Sequence, residues 1–232
     1  MRRTLTVVSA GLRSPSSTRM LADLLAEAAT TTLARTGEEV EVRHVEVREH
    51  AHAIVDALLT GFPSGDLARA LDDVTTADAL VVVIPTFQAS YSGLFKSFMD
   101  LIEEGTLRGM PVILAATGGT ERHSLVVDHA LRPLFAYLRA TPVATAVYAA
   151  TSDFGEGSQA LQGRVRRAAD DLADLVLGRI GDPADTADSP ASTRGVPTAT
   201  ATVAASRPRS RADEFANVTP FTELLARGGL DA

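Results

Sequence analysis

The chain has 232 residues, of which 45% are hydrophobic and 22% charged, and its formal net charge is −7. This charge argues against a nucleic-acid partner, and the complete lack of cysteine excludes disulfides, thiolate metal sites and a cysteine nucleophile. No apolar run approaches the about 20 residues that a membrane-spanning helix needs, and the N-terminal apolar stretch is too short for a signal peptide, so we expect a cytoplasmic protein.

The first half of the chain predicts strands and helices in alternation. Apolar residues with helical spacing follow a short first strand, and valines alternate with polar residues further along. The predicted elements are a strand at 5–9, a helix from 20 that ends before Gly37, a strand at 40–46, helical segments within 50–73 on either side of a loop at 61–65, and a strand at 79–84.

The second half continues this alternation. The apolar runs at 79–84 and 111–116 lack polar alternation, which predicts strands that are buried on both faces of a parallel sheet. Pro133 is expected to kink the helix that contains it. The remaining predicted elements are a helix at 93–103, a helix at 124–139, a strand at 143–148 and a long helix at 159–177.

Five strand–helix repeats predict a doubly wound α/β domain over residues 1–180. The number of elements fits a flavodoxin-like, five-stranded parallel sheet with strand order 2-1-3-4-5. A six-stranded dinucleotide-binding fold would need a further strand after residue 177, and the sequence offers none.

The C-terminal part of the chain differs in composition. Residues 181–212 are rich in Pro, Ala, Ser, Thr, Asp and Arg, which predicts a disordered linker because such a segment buries too little apolar surface to offset its chain entropy. Residues 213–232 regain apolar side chains such as Phe215, Phe221 and Leu224. We expect this segment to dock onto the domain or onto a second subunit, with a disordered terminus as the alternative.

Three loops follow the first, third and fourth predicted strands, and in this topology they face one crevice. The first loop (9–19) is rich in hydroxyl groups and opens a helix, which suits a phosphate, although a plain N-cap explains the same residues. Arg13 or Arg19 could neutralise the phosphate charge. The candidate binding residues of the first loop are Ser9, Gly11, Arg13, Ser16, Ser17 and Thr18.

The second loop (85–91) combines aromatic, amide and hydroxyl groups, which suit a flat ring with polar edges. An ordinary turn with Phe87 packed inward is the alternative. Its candidate residues are Pro85, Thr86, Phe87, Gln88, Ala89, Ser90 and Tyr91.

The third loop (117–123) offers backbone amides that no side chain obstructs, which could bond the edge of a heterocycle. His123 is either a ligand contact or a cap or surface residue. Its candidate residues are Thr117, Gly118, Gly119 and His123. We assign no catalytic residue and no metal site, since the histidines at 44, 50 and 52 lie in a polar region without a ligand pattern.

The three loops together resemble those of the NADPH-dependent FMN reductases of the flavodoxin-like superfamily. The first loop is similar to the pattern Ser-Gly-Ser-Leu-Arg-x-Gly-Ser-x-Asn-Arg and keeps its Ser9, Leu12, Arg13, Ser16 and Arg19, with Thr18 in place of the Asn.

The second loop carries the most specific part of the likeness. Its sequence Pro-Thr-Phe-Gln-Ala-Ser-Tyr-Ser-Gly-Leu-Phe-Lys resembles Pro-Val-Tyr-Lys-Ala-Ser-Tyr-Thr-Gly-Leu-Phe-Lys. Phe87 replaces the family's Tyr and Gln88 its Lys. Within the family, the chain looks like the reductases that serve two-component flavin monooxygenases of the alkanesulfonate and luciferase-like types.

The resemblance implies FMN and NAD(P)H as cofactors, with the FMN phosphate on the first loop and the isoalloxazine between the second and third loops. It implies hydride transfer from nicotinamide C4 to flavin N5, no essential acid–base residue, a monooxygenase partner, and a homodimer or homotetramer. A flavoprotein quinone or azo reductase and a non-enzymatic, flavodoxin-like electron carrier remain as alternatives.

Overall fold

The structure is a computed structural model that describes residues 2–155 and 158–178. The predicted linker at 181–212 and the docking segment at 213–232 lie outside the described residues. The elements are β1 (Arg2–Ser9), α1 (Ser17–Arg35), β2 (Glu39–Glu46), α2 (Ala51–Thr60), α3 (Gly65–Thr75), β3 (Ala79–Pro85), α4 (Gly93–Met99), β4 (Pro111–Gly118), α5 (Arg132–Tyr137), β5 (Thr141–Pro142), β6 (Val147–Ala150) and α6 (Ser158–Val176).

The sheet confirms the predicted order. Its strands run β2-β1-β3-β4-β5, all pairs are parallel, and β6 also pairs with β4. The valine-rich strand β3 is buried from Ala79 to Ile84, as expected for a central strand that helices cover on both faces. The fold is therefore flavodoxin-like, and the carboxyl ends of β1, β3 and β4 lie side by side.

The predicted single strand at 143–148 is wrong in detail. Its place beside β4 is shared by β5 and β6. The chain leaves the ladder after the Val143 N–H, which still donates to the Val112 carbonyl oxygen at 2.9 Å. The Arg132 guanidinium donates to the carbonyl oxygens of Val143 and Ala144 at 3.1 and 2.7 Å, and Asp171 Oδ2 accepts from the Thr145 N–H at 2.8 Å. These side chains form hydrogen bonds with backbone groups that a neighbouring strand would otherwise pair. The interruption of the strand therefore leaves those backbone groups satisfied.

Two apolar clusters cover the two faces of the sheet. On one face α1 and α6 pack together and bury Leu21, Leu25 and Leu172. On the other face the fully buried rings of Phe95 and Phe135 belong to a cluster that includes residues from α2 to α5. Each such side chain contributes about 1.5–3 kcal/mol relative to an exposed position.

The helix predicted at 124–139 is interrupted, as expected from Pro133. A π-helical turn at Val127–Leu131 precedes α5, which places Pro133 in its first turn. Proline lacks the N–H that a continuous helix would donate there, so a wider turn accommodates it. The helix predicted at 93–103 ends earlier, at Met99. No helix among residues 2–155 and 158–178 has the length and apolar character required to cross a bilayer.

Candidate functional site

A cleft of about 360 Å³ opens at the carboxyl edge of the sheet. Such a volume lies within the range of pockets that bind small molecules and cofactors. The loops that follow β1, β3, β4 and β6 form the cleft. Its lining residues are Gly11, Leu12, Arg13, Pro15, Ser16, Ser17, Thr18, Pro85, Thr86, Phe87, Thr117, Gly118, Gly119 and Thr151.

The first loop closes tightly onto the start of α1. Ser16 is the N-cap, and its Oγ accepts from the Arg19 N–H at 3.2 Å. The N–H groups of Ser17 and Thr18 precede the helical hydrogen-bond pattern, and the first turn contains no acidic residue. A Cβ on Gly11 would come within 2.2 Å of Ser16 Oγ, so the loop needs glycine there. The helix N-terminus thus presents positive potential to the cleft.

The two arginines of the first loop differ in their partners. Arg19 pairs with Asp23 at 2.7 Å and with Glu46 at 2.5 Å. The hydrogen bond to Glu46 raises the pKa of the Arg19 guanidinium, which partial burial opposes. Arg13 lines the cleft, is exposed, and forms no ion pair with any residue that the structure describes. Arg13 is therefore the arginine that is free to meet an anion.

A pair of hydroxyl groups joins the first and third loops. Thr18 Oγ1 and Thr117 Oγ1 are 2.9 Å apart and share a hydrogen bond, although the residues are separated by 99 positions. Both residues are buried. The sequence assigned the Thr18 hydroxyl to a phosphate, whereas the structure places it against Thr117, which leaves the backbone N–H of Thr18 at the helix N-terminus.

The second loop contains a tight hairpin. Phe87 and Ser90 exchange backbone hydrogen bonds of 2.7 and 2.8 Å. Gln88 and Ala89 between them have φ angles of 45° and 62°, which defines a type I′ turn. This turn directs Gln88 and Ala89 to solvent, while Phe87 stays at the cleft with 43% of its surface exposed.

Two hydroxyl groups beneath the loops are buried without a hydrogen-bond partner. Thr86 lines the cleft, and its Oγ1 is shielded from solvent and unpaired. Its backbone N–H donates to the Thr117 carbonyl at 2.8 Å, which ties the second loop to the third. Ser9 Oγ is likewise buried and unpaired at the end of β1. Unpaired buried hydroxyls are rare in native proteins and often mark ligand or water positions.

A fourth loop also reaches the cleft, and the sequence analysis missed it. Thr151 follows β6 and joins the lining. Asp153 holds this loop, because its carboxylate accepts from the Ala150 N–H at 2.8 Å and from the Arg164 guanidinium at 3.0 Å. The sequence could have indicated this loop, because the carboxyl end of a fifth parallel strand lies at the same edge of the sheet as the carboxyl ends of its neighbours.

A second hollow, of about 330 Å³, lies along α1 and β2 and contains no residue of the four loops. Asp23, Glu27 and His44 are among its lining residues. Burial lowers the pKa of the His44 imidazole, with a smaller contribution from the positive charge of Arg19. No cluster of three potential metal ligands occurs in the described parts of the chain.

Comparison with known proteins decides the family. Residues 4–155 match the model of the family described as NADPH-dependent FMN reductase. The chain belongs to this family. As a family member, it is an oxidoreductase that uses FMN and a nicotinamide cofactor.

Curated relatives and a solved structure agree with this assignment. The FMN reductase is 41% identical to the NADH-dependent FMN reductase SfnF of Pseudomonas putida over 65% of this chain and 78% of the relative. It is 38% identical to the FMN reductase (NADPH) of Pseudomonas aeruginosa, with coverages of 74% and 91%. An oxidoreductase structure from Corynebacterium diphtheriae is 45% identical, covers 76% of this chain and 98% of its own, and superposes with a TM-score of 0.74.

The fold of this FMN reductase brings together most of the residues that the sequence singled out. From the first loop these are Gly11, Arg13, Ser16, Ser17 and Thr18; from the second, Pro85, Thr86 and Phe87; and from the third, Thr117, Gly118 and Gly119. The structure adds Leu12, Pro15 and Thr151 to the set.

Six of the predicted residues do not line the cleft: Ser9, Gln88, Ala89, Ser90, Tyr91 and His123. The Tyr91 ring packs instead against Phe95, with centroids 5.6 Å apart and planes tilted by 57°. His123 is exposed in the short turn Glu121–His123. Of the two aromatic residues of the second loop, Phe87 lines the cleft and Tyr91 does not.

Proposed function

We propose that this FMN reductase binds flavin in the cleft and supplies reduced FMN to a separate flavin-dependent monooxygenase. The observation that carries the proposal is the convergence of three chemically distinct loops on one open cleft. The likeness of the second loop to reductases of two-component systems supports the monooxygenase as the consumer of the product.

One end of the cleft has the chemistry that a phosphate requires. The N–H groups of Ser17 and Thr18 and the positive end of α1 favour an anion, and the Arg13 guanidinium adds a full charge without a competing carboxylate. Ser16 holds the helix start through its Oγ. These groups would hold the FMN phosphate.

The other end suits a ring with polar edges. Leu12 and Phe87 are partly exposed apolar side chains from neighbouring loops, so they would contact the faces of a planar group. The unpaired Thr86 hydroxyl and the backbone of Gly118 and Gly119 would contact its polar edge. A ligand that accepts a hydrogen bond from Thr86 would relieve the cost of that buried group.

The residues of the cleft position the reactants and do not transfer protons. A flavin held there would supply the redox chemistry, with its N5 as the acceptor of a hydride from nicotinamide C4. Among the lining residues that the structure describes, Arg13 alone is ionisable, and none is Asp, Glu, His, Lys or Tyr. The contribution of the chain is therefore to orient the two reactants and limit access of water between them.

The proposed function is tested by following NADH and NADPH oxidation with free FMN as the acceptor. We expect saturable turnover that depends on added FMN, and purified protein that retains little flavin after gel filtration. The same assay with a quinone but without free FMN should show no turnover. Rapid quinone reduction by protein that retains its yellow colour would instead support the quinone reductase alternative.

A further inference from the structure

We propose that Tyr148 is a positioning residue of this FMN reductase, whose phenol fixes the third loop at the ring end of the cleft. The proposal rests on the flavin site proposed above. Tyr148 is not among the residues that line the cleft, so any effect on a ligand must pass through the residues that it holds.

The phenol ties the last strand of the sheet to the third loop. Tyr148 lies on β6 opposite Ala116 of β4. Its hydroxyl donates to the Thr120 carbonyl oxygen at 2.7 Å, across 28 positions of sequence. Thr120 directly follows Gly118 and Gly119, the part of the third loop that lines the cleft. The bond therefore anchors the loop at the point where it leaves the cleft.

Gly118 provides the space that the phenol occupies. A Cβ placed on Gly118 would lie 2.0 Å from the Tyr148 hydroxyl oxygen and 3.1 Å from Cζ. These distances are too short for any side chain, so the Tyr148 phenol packs directly on the backbone of Gly118. The same backbone lines the cleft, and a displacement of the phenol would reach the ligand through a single residue.

The Thr86 hydroxyl also lies close to Gly118. Its Oγ1 is 3.6 Å from the position of that Cβ, next to the Tyr148 phenol. Burial raises the pKa of the Tyr148 phenol, and the nearby Thr86 hydroxyl opposes this rise. The phenol therefore stays protonated at neutral pH and keeps its hydrogen for the Thr120 carbonyl.

The first test compares Y148F with Y137F, since Tyr137 is 67% exposed and lies outside the cleft. Y148F keeps the ring and loses one hydrogen bond, so we expect the dissociation constants of FMN and riboflavin to rise together by about three- to tenfold. Y137F should bind both as the wild type does. Unchanged flavin affinity in Y148F, or a loss confined to FMN, would overturn the proposal.

The second test uses G118A and the double variant Y148F/G118A. The added methyl group should push the phenol away from Thr120, so G118A should weaken flavin binding by at least as much as Y148F. In the double variant the hydroxyl oxygen is gone and the closest contact is the 3.1 Å to Cζ. We therefore expect the flavin dissociation constant of the double variant to rise by less than the product of the two single-variant increases. A rise equal to that product would contradict direct packing of the phenol on Gly118.

Hydrogen exchange separates this proposal from the proposed flavin site. In the wild type, FMN should slow amide exchange at residues 118–121; if it does not, the flavin site itself fails. In flavin-free Y148F, the same amides should exchange faster than in Y137F. Protection by FMN together with unchanged exchange and affinity in Y148F would leave the flavin site standing and refute the role of Tyr148.

Discussion

Ser16 combines two functions that depend on one oxygen atom. Its Oγ caps α1, and it faces Gly11 so closely that a methyl group there would collide with it. Aspartate is as good an N-cap as serine, so the helix tolerates either residue. The phosphate that we place beside Ser16 is negatively charged, so an aspartate at this position would repel it.

Replacing Ser16 with Asp therefore tests the phosphate end alone. We expect S16D to weaken FMN binding about tenfold or more through repulsion between the two anions. Riboflavin lacks the phosphate and should bind with unchanged affinity. Both are measured by fluorescence titration, with S64D, at the N-cap of α3, as the control. Equal effects on FMN and riboflavin would mean that the first loop does not hold the phosphate.

At the scale of elements, the hairpin of the second loop has backbone strain that its sequence does not predict. Gln88 and Ala89 both adopt left-handed backbone angles, a conformation that Asn and Gly accept more readily. The sequence identified the loop but not this turn, because neither residue is a usual turn former. The hairpin explains why its tip points away from the cleft while Phe87 remains beside it.

We expect A89G to stabilise the protein by about 0.5 kcal/mol. Relief of the left-handed strain, about 1–2 kcal/mol, exceeds the entropic penalty of glycine, about 0.5–1 kcal/mol. Chemical denaturation measures the change, and A68G within α3 is the control, which should destabilise by about 1 kcal/mol. A loss of stability in both variants would show that the hairpin is not strained.

At the scale of the whole molecule, the residues that line the cleft in the described part of the chain lie between positions 11 and 151. The described residues of the flavin site that we propose thus all belong to the α/β domain. The helix α2 exposes Val55, Leu58 and Leu59 at a spacing that places them on one helix face, and the turn after α2 exposes Phe62. Exposed apolar surface of this kind is typical of interfaces, and we propose it as the contact of the homodimer or homotetramer that the family resemblance implies.

Two truncations test the proposed division of the chain. Proteins that end at residue 178 or 212 should retain FMN affinity and turnover, because both keep all the described residues that line the cleft. If residues 213–232 dock as proposed, both should lose the same few degrees of thermal midpoint relative to the full chain. A midpoint that falls only when residues 179–212 are also removed would contradict a linker role for that segment.

The sequence by itself determined the strand order, the family likeness and the loops that carry the candidate site. Local apolar runs decide which strands are buried, and in a parallel sheet all their carboxyl ends meet at one edge. The tertiary structure alone decided the contacts that depend on residues far apart. It split the last strand through Arg132 and Asp171, joined Thr18 to Thr117, and brought Tyr148 onto Gly118. Such contacts leave no local pattern, because they depend on how separate elements pack.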